Sequence, residues 1–269
     1  LTIGDTSGID EVMEVQFRRT GLAHLVAVSG SNVALVIAGA ALLVRRGSPA
    51  TRTVACGVVL CLYVLVVGPE PSVLRAAAMG GVALAGILAG RRPEPVQALG
   101  VALIVLVAFR PGLVSAVGLQ LSAAATLGIV LWARPLADRL TGAVPALVAY
   151  PLATTVAAQL AVAPIMVIVF GEVSLVAPLA NLLAAPAVAP ATILGLMGGA
   201  FGLVSSLVGA WLAAAAAPFA AWIVAVADWL ARPSWAAVEC PSWIGWVLAA
   251  PVAAVAVRSA TRLRVADLD

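Results

Sequence analysis

Nine apolar stretches, separated by short polar connections, constrain the fold of this chain more than any other feature. They cover residues 22–44, 53–68, 71–90, 95–109, 111–132, 145–170, 173–198, 203–231 and 242–257. Most approach the length of about 20 residues that a helix needs to cross a bilayer. Hydrophobic residues make up 63% of the 269 residues and charged residues 10%, which is more apolar surface than a soluble core could bury.

The apolar pattern predicts an all-α fold, namely a polytopic transmembrane helical bundle with about nine membrane segments, some of them broken or re-entrant. The stretches 53–68 and 95–109 are short enough to be partly re-entrant. We predict three parts: an interfacial segment over residues 1–21, a single transmembrane domain over 22–264, and a tail over 265–269. The tail would lead into a further C-terminal part, so we expect the sequence to be a piece of a longer protein.

Charged residues between the stretches predict the orientation of the chain. All 15 basic residues are Arg. Alternate connections carry Arg45, Arg46, Arg52, Arg91, Arg92, Arg134, Arg139, Arg258, Arg262 and Arg264. Because cytoplasmic connections carry an excess of Lys and Arg, this pattern places the N-terminus outside and the C-terminal end of the sequence in the cytoplasm.

Residues 7–21, before the first apolar stretch, have the pattern of a short amphipathic helix. Ser7 and Asp10 have the spacing of a capping box, and Arg18 and Arg19 lie in the last turn. Apolar side chains recur at helical spacing between them. The segment could anchor the chain at the membrane surface, or it could guide an anionic polymer.

A polar run interrupts the first apolar stretch and contains the only histidine of the chain, His24. Ser29, Gly30 and Asn32 follow within the same run. Ser and Gly at such positions commonly serve close helix packing. That explanation does not cover His24 or Asn32, because polar side chains in a membrane need a partner or a water-filled cavity. The alternative is a functional cavity lined by this run.

Arg75 lies about one turn after Pro71 in the third stretch, where a helix would place it near the positive end of its dipole. Such a cation needs a compensating anion. Glu70 could supply one in a structural ion pair, or a phosphate passing through the membrane could do so. Later stretches contain further polar side chains, for which interhelical hydrogen bonding is the simpler explanation. These are Gln120, Ser122, Gln159 and Asn181.

Five segments, in order along the chain, resemble the membrane competence domain of the ComEC family. They are Gly4–Gly8, Phe17–Val33, Pro71–Met79, Gly118–Ser122 and Pro178–Leu183. The family commonly has Ser-Gly-Leu-His where this chain has Ser29-Gly30-Ser31-Asn32, so one titratable group of the family pattern is replaced by an amide. A Phe commonly found around the Gln-Leu-Ser motif is replaced by Leu119 and Ala123.

The resemblance implies a channel that imports single-stranded DNA across the bacterial cytoplasmic (inner) membrane during natural transformation. It implies as partners the lipid bilayer, a DNA receptor and a nuclease-like domain on the outer side, and a cytosolic motor or single-strand-binding proteins. Longer family members carry a metallo-β-lactamase-like domain. With a single histidine, this sequence cannot form a His-rich dinuclear zinc site. We therefore predict no enzyme activity, no catalytic residues, no metal and no cofactor.

We assign candidate residues to two parts of the DNA path. The candidates for the path within the membrane are His24, Ser29, Gly30, Asn32, Arg75, Gln120, Ser122, Gln159 and Asn181. The candidates for the entrance are Asp5, Arg18 and Arg19. A continuous hydrated path with few fixed cations would let a polyanion move rather than hold it.

Two other classes of function are compatible with the sequence. A small-molecule or ion transporter would also use broken helices and polar groups at the middle of the membrane. An intramembrane serine protease would use Ser29 with His24 as base. Five residues on one helix separate the two side chains by about 140°, which disfavours a hydrogen-bonded dyad.

Overall fold

The computed structural model describes residues 10–26, 30–91 and 94–266, and this part of the chain is almost entirely helical. Its α-helices are α1 Glu11–Arg19, α2 Ala23–Val26, α3 Gly30–Leu43, α4 Pro49–Val67, α5 Pro71–Leu88, α6 Pro95–Phe109, α7 Val117–Gly128, α8 Arg134–Leu140, α9 Ala146–Phe170, α10 Ala177–Gly202, α11 Ser206–Ala231 and α12 Ser242–Ala266. Two short strands, β1 Glu172–Ser174 and β2 Ala237–Glu239, pair with each other. The predicted all-α polytopic fold is confirmed.

Seven helical segments in the described ranges are long and apolar enough to cross a membrane. They are Pro49–Val67, Pro71–Leu88, Val117–Leu140, Ala146–Phe170, Ala177–Gly202, Ser206–Ala231 and Ser242–Thr261. Two shorter apolar helices, Asn32–Leu43 and Pro95–Phe109, lie in the other two of the nine predicted stretches. The stretch predicted at 53–68 is longer than expected, because Pro49 begins the helix and the Ser48 hydroxyl caps it. The number of membrane crossings stays a prediction.

The amphipathic segment before the first span forms α1. Its N-cap is Asp10, whose carboxylate accepts a hydrogen bond from the Met13 N–H at 2.7 Å; the predicted capping residue Ser7 lies outside the described residues. Phe17 is buried, whereas Val12 is 65% exposed, so only part of the predicted apolar face packs against protein. Gly21 has φ +70°, a left-handed conformation that turns the chain after the helix.

The chain packs as two compact units. Among the described residues, unit 1 contains 24–26, 30–91, 94–122 and 191–216, and unit 2 contains 10–23, 123–190 and 217–266. In unit 1, α3, α4 and α5 pack together, and α6 packs against α5. The buried cluster at their centre is Val33, Leu60, Tyr63 and Val73.

Unit 2 is built around α9, which packs against α8 and α12. Alanines at every fourth position of α9 are buried along one face: Ala149, Ala153, Ala157 and Ala161. A Cβ placed on Gly128 would lie 2.6 Å from the Ala157 carbonyl oxygen, and one on Gly245 would lie 2.7 Å from the Pro164 carbonyl oxygen. Small residues allow helix backbones to approach closely, which is how membrane helices gain packing energy without a hydrophobic driving force.

The antiparallel ribbon of β1 and β2 in unit 2 is not anticipated by the sequence pattern. It pairs Glu172 with Glu239, Val173 with Val238 and Ser174 with Ala237. Each strand has only three residues, too few to show an alternating pattern. The ribbon joins the connection after α9 to the connection after α11, and α1 packs against β1.

The close approach at Gly128 leads to a test of helix packing in unit 2. We expect Gly128→Ala to lower the free energy of unfolding by about 1–3 kcal/mol, because the new Cβ overlaps the α9 backbone. Gly100→Ala is the matched control: it is also helical, and a Cβ there meets nothing within 4 Å. Thermal or denaturant unfolding of the purified variants in detergent measures the difference. An equal response of the two variants would contradict this packing.

Candidate functional site

Arg75 is the most unusual polar residue of unit 1. It lies in the second turn of α5, which begins at Pro71, and its side chain sits among the apolar helices with only 7% of the residue exposed. Proline suits the first turn of a helix because its missing N–H would have no partner there. The start of α5 is therefore fixed by Pro71, and Arg75 follows about one turn later, well inside the helix.

The Arg75 guanidinium is held by neutral groups. Its Nε donates to the Ser122 hydroxyl at 2.7 Å, and Nη1 lies 3.2 Å from the Met79 sulfur. Among the described residues, no carboxylate lies within ion-pair distance of this guanidinium. Glu70, the counter-ion considered from the sequence, is exposed at the N-cap of α5 and forms no such pair. Within the described ranges, Arg75 is thus a buried cation with hydrogen-bond partners but no carboxylate partner.

Gly30 leaves room for this guanidinium. A Cβ at Gly30 would lie 2.7 Å from Arg75 Nη2 and 3.5 Å from the Ala76 Cβ. Gly30 is the first described residue of α3, Arg75 belongs to α5, and Ser122 belongs to the part of α7 in unit 1. Three predicted path residues, distant in sequence, therefore meet around one positive charge. We call this group of Gly30, Arg75 and Ser122 the Arg75 cluster.

Asn32 is buried on α3, with 3% of the residue exposed. The Tyr63 hydroxyl of α4 faces the Asn32 amide. This hydroxyl is buried and forms no hydrogen bond of ordinary geometry with a described residue. Tyr63 was not among the predicted residues. A lone tyrosine in an apolar stretch gives no signal beyond core packing, and only the fold brings it opposite Asn32.

Two other predicted residues of unit 1 lie outside this cluster. The Gln120 amide is exposed and donates to the Val114 carbonyl at 2.8 Å, which closes the short 3-10 turn Pro111–Ser115. His24 is exposed on α2. Ser29 and the entrance candidate Asp5 lie outside the described residues.

In unit 2, Gln159 and Asn181 each donate to a backbone carbonyl, and no hydrogen bond between the two side chains is found among the described residues. The Gln159 amide nitrogen donates to the Ser174 carbonyl, and the Gln159 carbonyl oxygen is buried without a hydrogen-bond partner among the described residues. The Asn181 amide donates to the Ala177 carbonyl within its own helix at 2.9 Å. Pro178 lies in the first turn of α10, where its missing N–H needs no compensation.

The two predicted entrance arginines of α1 have different partners. Arg18 Nε donates to the Glu172 carboxylate at 2.6 Å. Arg19 Nη2 donates to the Pro233 carbonyl oxygen at 3.0 Å. A carboxylate neutralises a guanidinium, whereas a carbonyl leaves its charge in place. Glu172 was missed by sequence analysis, although it is the acidic residue of the connection that the charge pattern places on the same side as α1.

The chain is similar to known proteins over most of its length. The profile of the family described as "Competence protein" matches residues 1–264, which is nearly the whole chain. The chain belongs to the competence protein family. Among curated proteins it is 35% identical over 133 residues to ComE operon protein 3 of Bacillus subtilis (strain 168). That alignment covers 49% of this chain and 17% of the relative. No solved structure matches the chain.

The family resemblance seen in the five sequence motifs is therefore confirmed. Of the residues proposed for this competence protein, the structure brings Gly30, Arg75 and Ser122 into direct contact in unit 1. Their roles stay predictions. In the described part of the chain, no three His, Cys, Asp or Glu side chains form a group that could hold a metal ion.

The Ser122 contact leads to a test of how the Arg75 cluster is held. We expect Ser122→Ala to lower the free energy of unfolding by about 1.5–3 kcal/mol, the value typical of a hydrogen bond to a charged group. Ser115→Ala is the control, because that hydroxyl is exposed and contacts only the nearby Gly112 carbonyl. Unfolding midpoints in detergent compare the two. A Ser122→Ala variant as stable as the control would show that the hydroxyl does not stabilise Arg75.

Proposed function

We propose that this competence protein is a conduit for a single strand of DNA across the bacterial cytoplasmic membrane. The observation that carries the proposal is Arg75, a buried cation that has no carboxylate partner among the described residues. A buried charge is costly unless it is paired. A phosphate of the strand would supply the missing anion each time it passes.

The chemistry of the Arg75 cluster suits a phosphate. A guanidinium presents several N–H donors in a planar fork that matches phosphate oxygens. In the Arg75 cluster, Nε is used by Ser122, and Nη2 lies on the side that Gly30 leaves open. A low-dielectric surrounding strengthens the attraction. One such cation attracts a polyanion, whereas many in a row would hold it.

Each of the remaining candidates would offer the strand a neutral hydrogen-bonding group. His24, Asn32 and Gln120 in unit 1, and Gln159 and Asn181 in unit 2, carry donors or acceptors on apolar helices. Ser29 belongs to the same proposal. Neutral groups let phosphates and bases exchange partners without a large energy minimum, which translocation requires.

The entrance would lie beside α1, with Asp5, Arg18 and Arg19 as its candidates. Because Glu172 neutralises Arg18, Arg19 is the stronger candidate for attracting DNA. Exposed cations raise the local concentration of a polyanion and lose this effect in high salt.

Contacts within unit 2 support the proposed orientation. Arg18 and Arg19 of α1 contact Glu172 and Pro233, so α1 and the connections after α9 and α11 share one end of this unit. These are the segments that the charge pattern assigns to the outside. The Trp132 indole, just before α8, donates to the Ser259 hydroxyl of α12 at 3.2 Å. That contact joins two regions assigned to the cytoplasm by their arginines.

In this proposal the chain itself performs no chemistry. Processing of the second strand would belong to a nuclease-like domain on the outer side, and the driving force to a cytosolic motor or to single-strand-binding proteins. A DNA receptor would deliver the substrate to the entrance.

The proposal is tested by DNA uptake in competent cells that carry variants of the full-length protein. We expect Arg75→Gln to reduce internalised, labelled DNA at least about tenfold, since loss of one charged hydrogen bond exceeds the 1.4 kcal/mol that corresponds to a factor of ten. DNA bound at the cell surface should be unchanged. Arg75→Lys keeps the charge without the planar fork and should retain part of the uptake.

Two further variants make the result interpretable. Gly30→Ala keeps the arginine but places a methyl group against Nη2, so it should also reduce uptake. Arg110→Gln removes an exposed arginine of the connection between α6 and α7 and is the matched control. Immunoblots of membranes check that all variants are present. Normal uptake in both Arg75→Gln and Gly30→Ala cells would exclude this path.

A further inference from the structure

The described residues that line a groove in unit 2 include none of those assigned to the DNA path. Its volume is about 680 Å³, within the range of about 300–1,000 Å³ typical of small-molecule sites. Its apolar wall is formed by Leu136 of α8, Leu160 of α9 and Val255 of α12, with Trp132 alongside. Leu160 and Val255 are each about half exposed. In a membrane, such an open apolar wall meets hydrocarbon chains.

One end of the groove is positively charged. Arg139 of α8 lines the groove, is exposed, and has no carboxylate within ion-pair distance among the described residues. Arg134 lies on the same helix, and Arg258 immediately precedes Ser259, which also lines the groove. Asp138 is the acidic residue of α8, and neither α9 nor α12 contains an acidic residue. Among the described residues that line the groove, Arg139 is therefore the one charged side chain, and it is positive.

The helix that forms the groove has an irregular backbone there. Residues Ile129–Ala133 form a π-helical turn, and Pro135 follows within the first turn of α8. Proline has no N–H to continue the hydrogen-bond ladder to Leu131. Single π-turns occur often at functional sites. The hydrogen bond from the Trp132 indole to Ser259 ties this turn to α12 beside the groove.

We propose that this groove binds one phospholipid with an anionic headgroup. An acyl chain would lie along Leu136, Leu160 and Val255, and the phosphate would contact Arg139. Basic clefts between membrane helices recognise anionic headgroups in this way. Trp132 would lie at the level of the headgroup, where an indole has both an apolar face and a hydrogen-bonding N–H.

The charge argues for a lipid rather than for a second copy of the chain. A symmetric dimer through this face would bring the same arginines of both copies towards each other, because a two-fold interface uses the same surface twice. An anionic lipid instead complements the charge and the apolar wall together. The proposal does not depend on the DNA path, because the two use different residues.

The test measures which lipid stays with the purified protein. The protein is reconstituted in vesicles of phosphatidylcholine with a minor share of phosphatidylglycerol, extracted in mild detergent and analysed by native mass spectrometry. We expect one phosphatidylglycerol per chain to be retained in preference to phosphatidylcholine. Arg139→Gln should lower that preference about fivefold, the effect of one arginine near a membrane surface. Arg52→Gln, an exposed arginine in unit 1, should leave it unchanged.

A second variant tests the apolar wall. Leu160→Trp fills the groove from α9 and should remove both lipids from the spectrum. Retention of phosphatidylglycerol by Arg139→Gln and Leu160→Trp at the wild-type level would overturn the proposal. Equal retention of both lipids by the unaltered protein would overturn headgroup recognition. A change of oligomeric mass in Leu160→Trp, without a change in lipid retention, would assign the groove to a second copy of the chain.

Discussion

Polar groups within apolar helices must find their partners inside the chain, because hydrocarbon offers none. Several side chains in the long helices satisfy this requirement through a backbone carbonyl. The Thr53, Thr154 and Thr155 hydroxyls each donate to the carbonyl four residues earlier, and the Trp222 indole donates to the Leu183 carbonyl on α10. These contacts remove polar atoms from lipid without using charge. For the same reason, a described polar group that lacks a full set of partners indicates a site where another molecule could bind.

Arg75 stands out against that background. Its neighbours supply hydrogen bonds and space, but among the described residues none supplies negative charge. Arg139, the exposed arginine of the groove in unit 2, also has no carboxylate partner among the described residues, but it lies in the last turn of α8. We propose a different anion for each position: a phosphate moving past the buried Arg75, and a lipid headgroup held by the exposed Arg139.

The sequence predicts much of this architecture because helix length and apolar content are local properties. Helices α4 to α6 and α9 to α12 lie where the apolar stretches are. Arg75 is identifiable in the same way, as a charge in an apolar run. Its partners are not, because Gly30 and Ser122 are brought to it only by packing. The partner of Gln120 is close in sequence but was not predicted either. Its amide donates to the Val114 carbonyl, six residues away, across a turn that the hydrophobicity pattern does not predict.

The contacts of α1 also constrain the order in which the protein can assemble. Gln16 donates to Asp228, and Arg19 to the Pro233 carbonyl, across 212 and 214 positions of sequence. Neither bond can form until α11 has been synthesised, whereas the Arg18–Glu172 pair needs only α9 and β1. Until the later bonds form, the apolar face of α1 can rest at the lipid interface. Docking of α1 onto unit 2 can therefore begin at β1 and is completed only after α11 has been made.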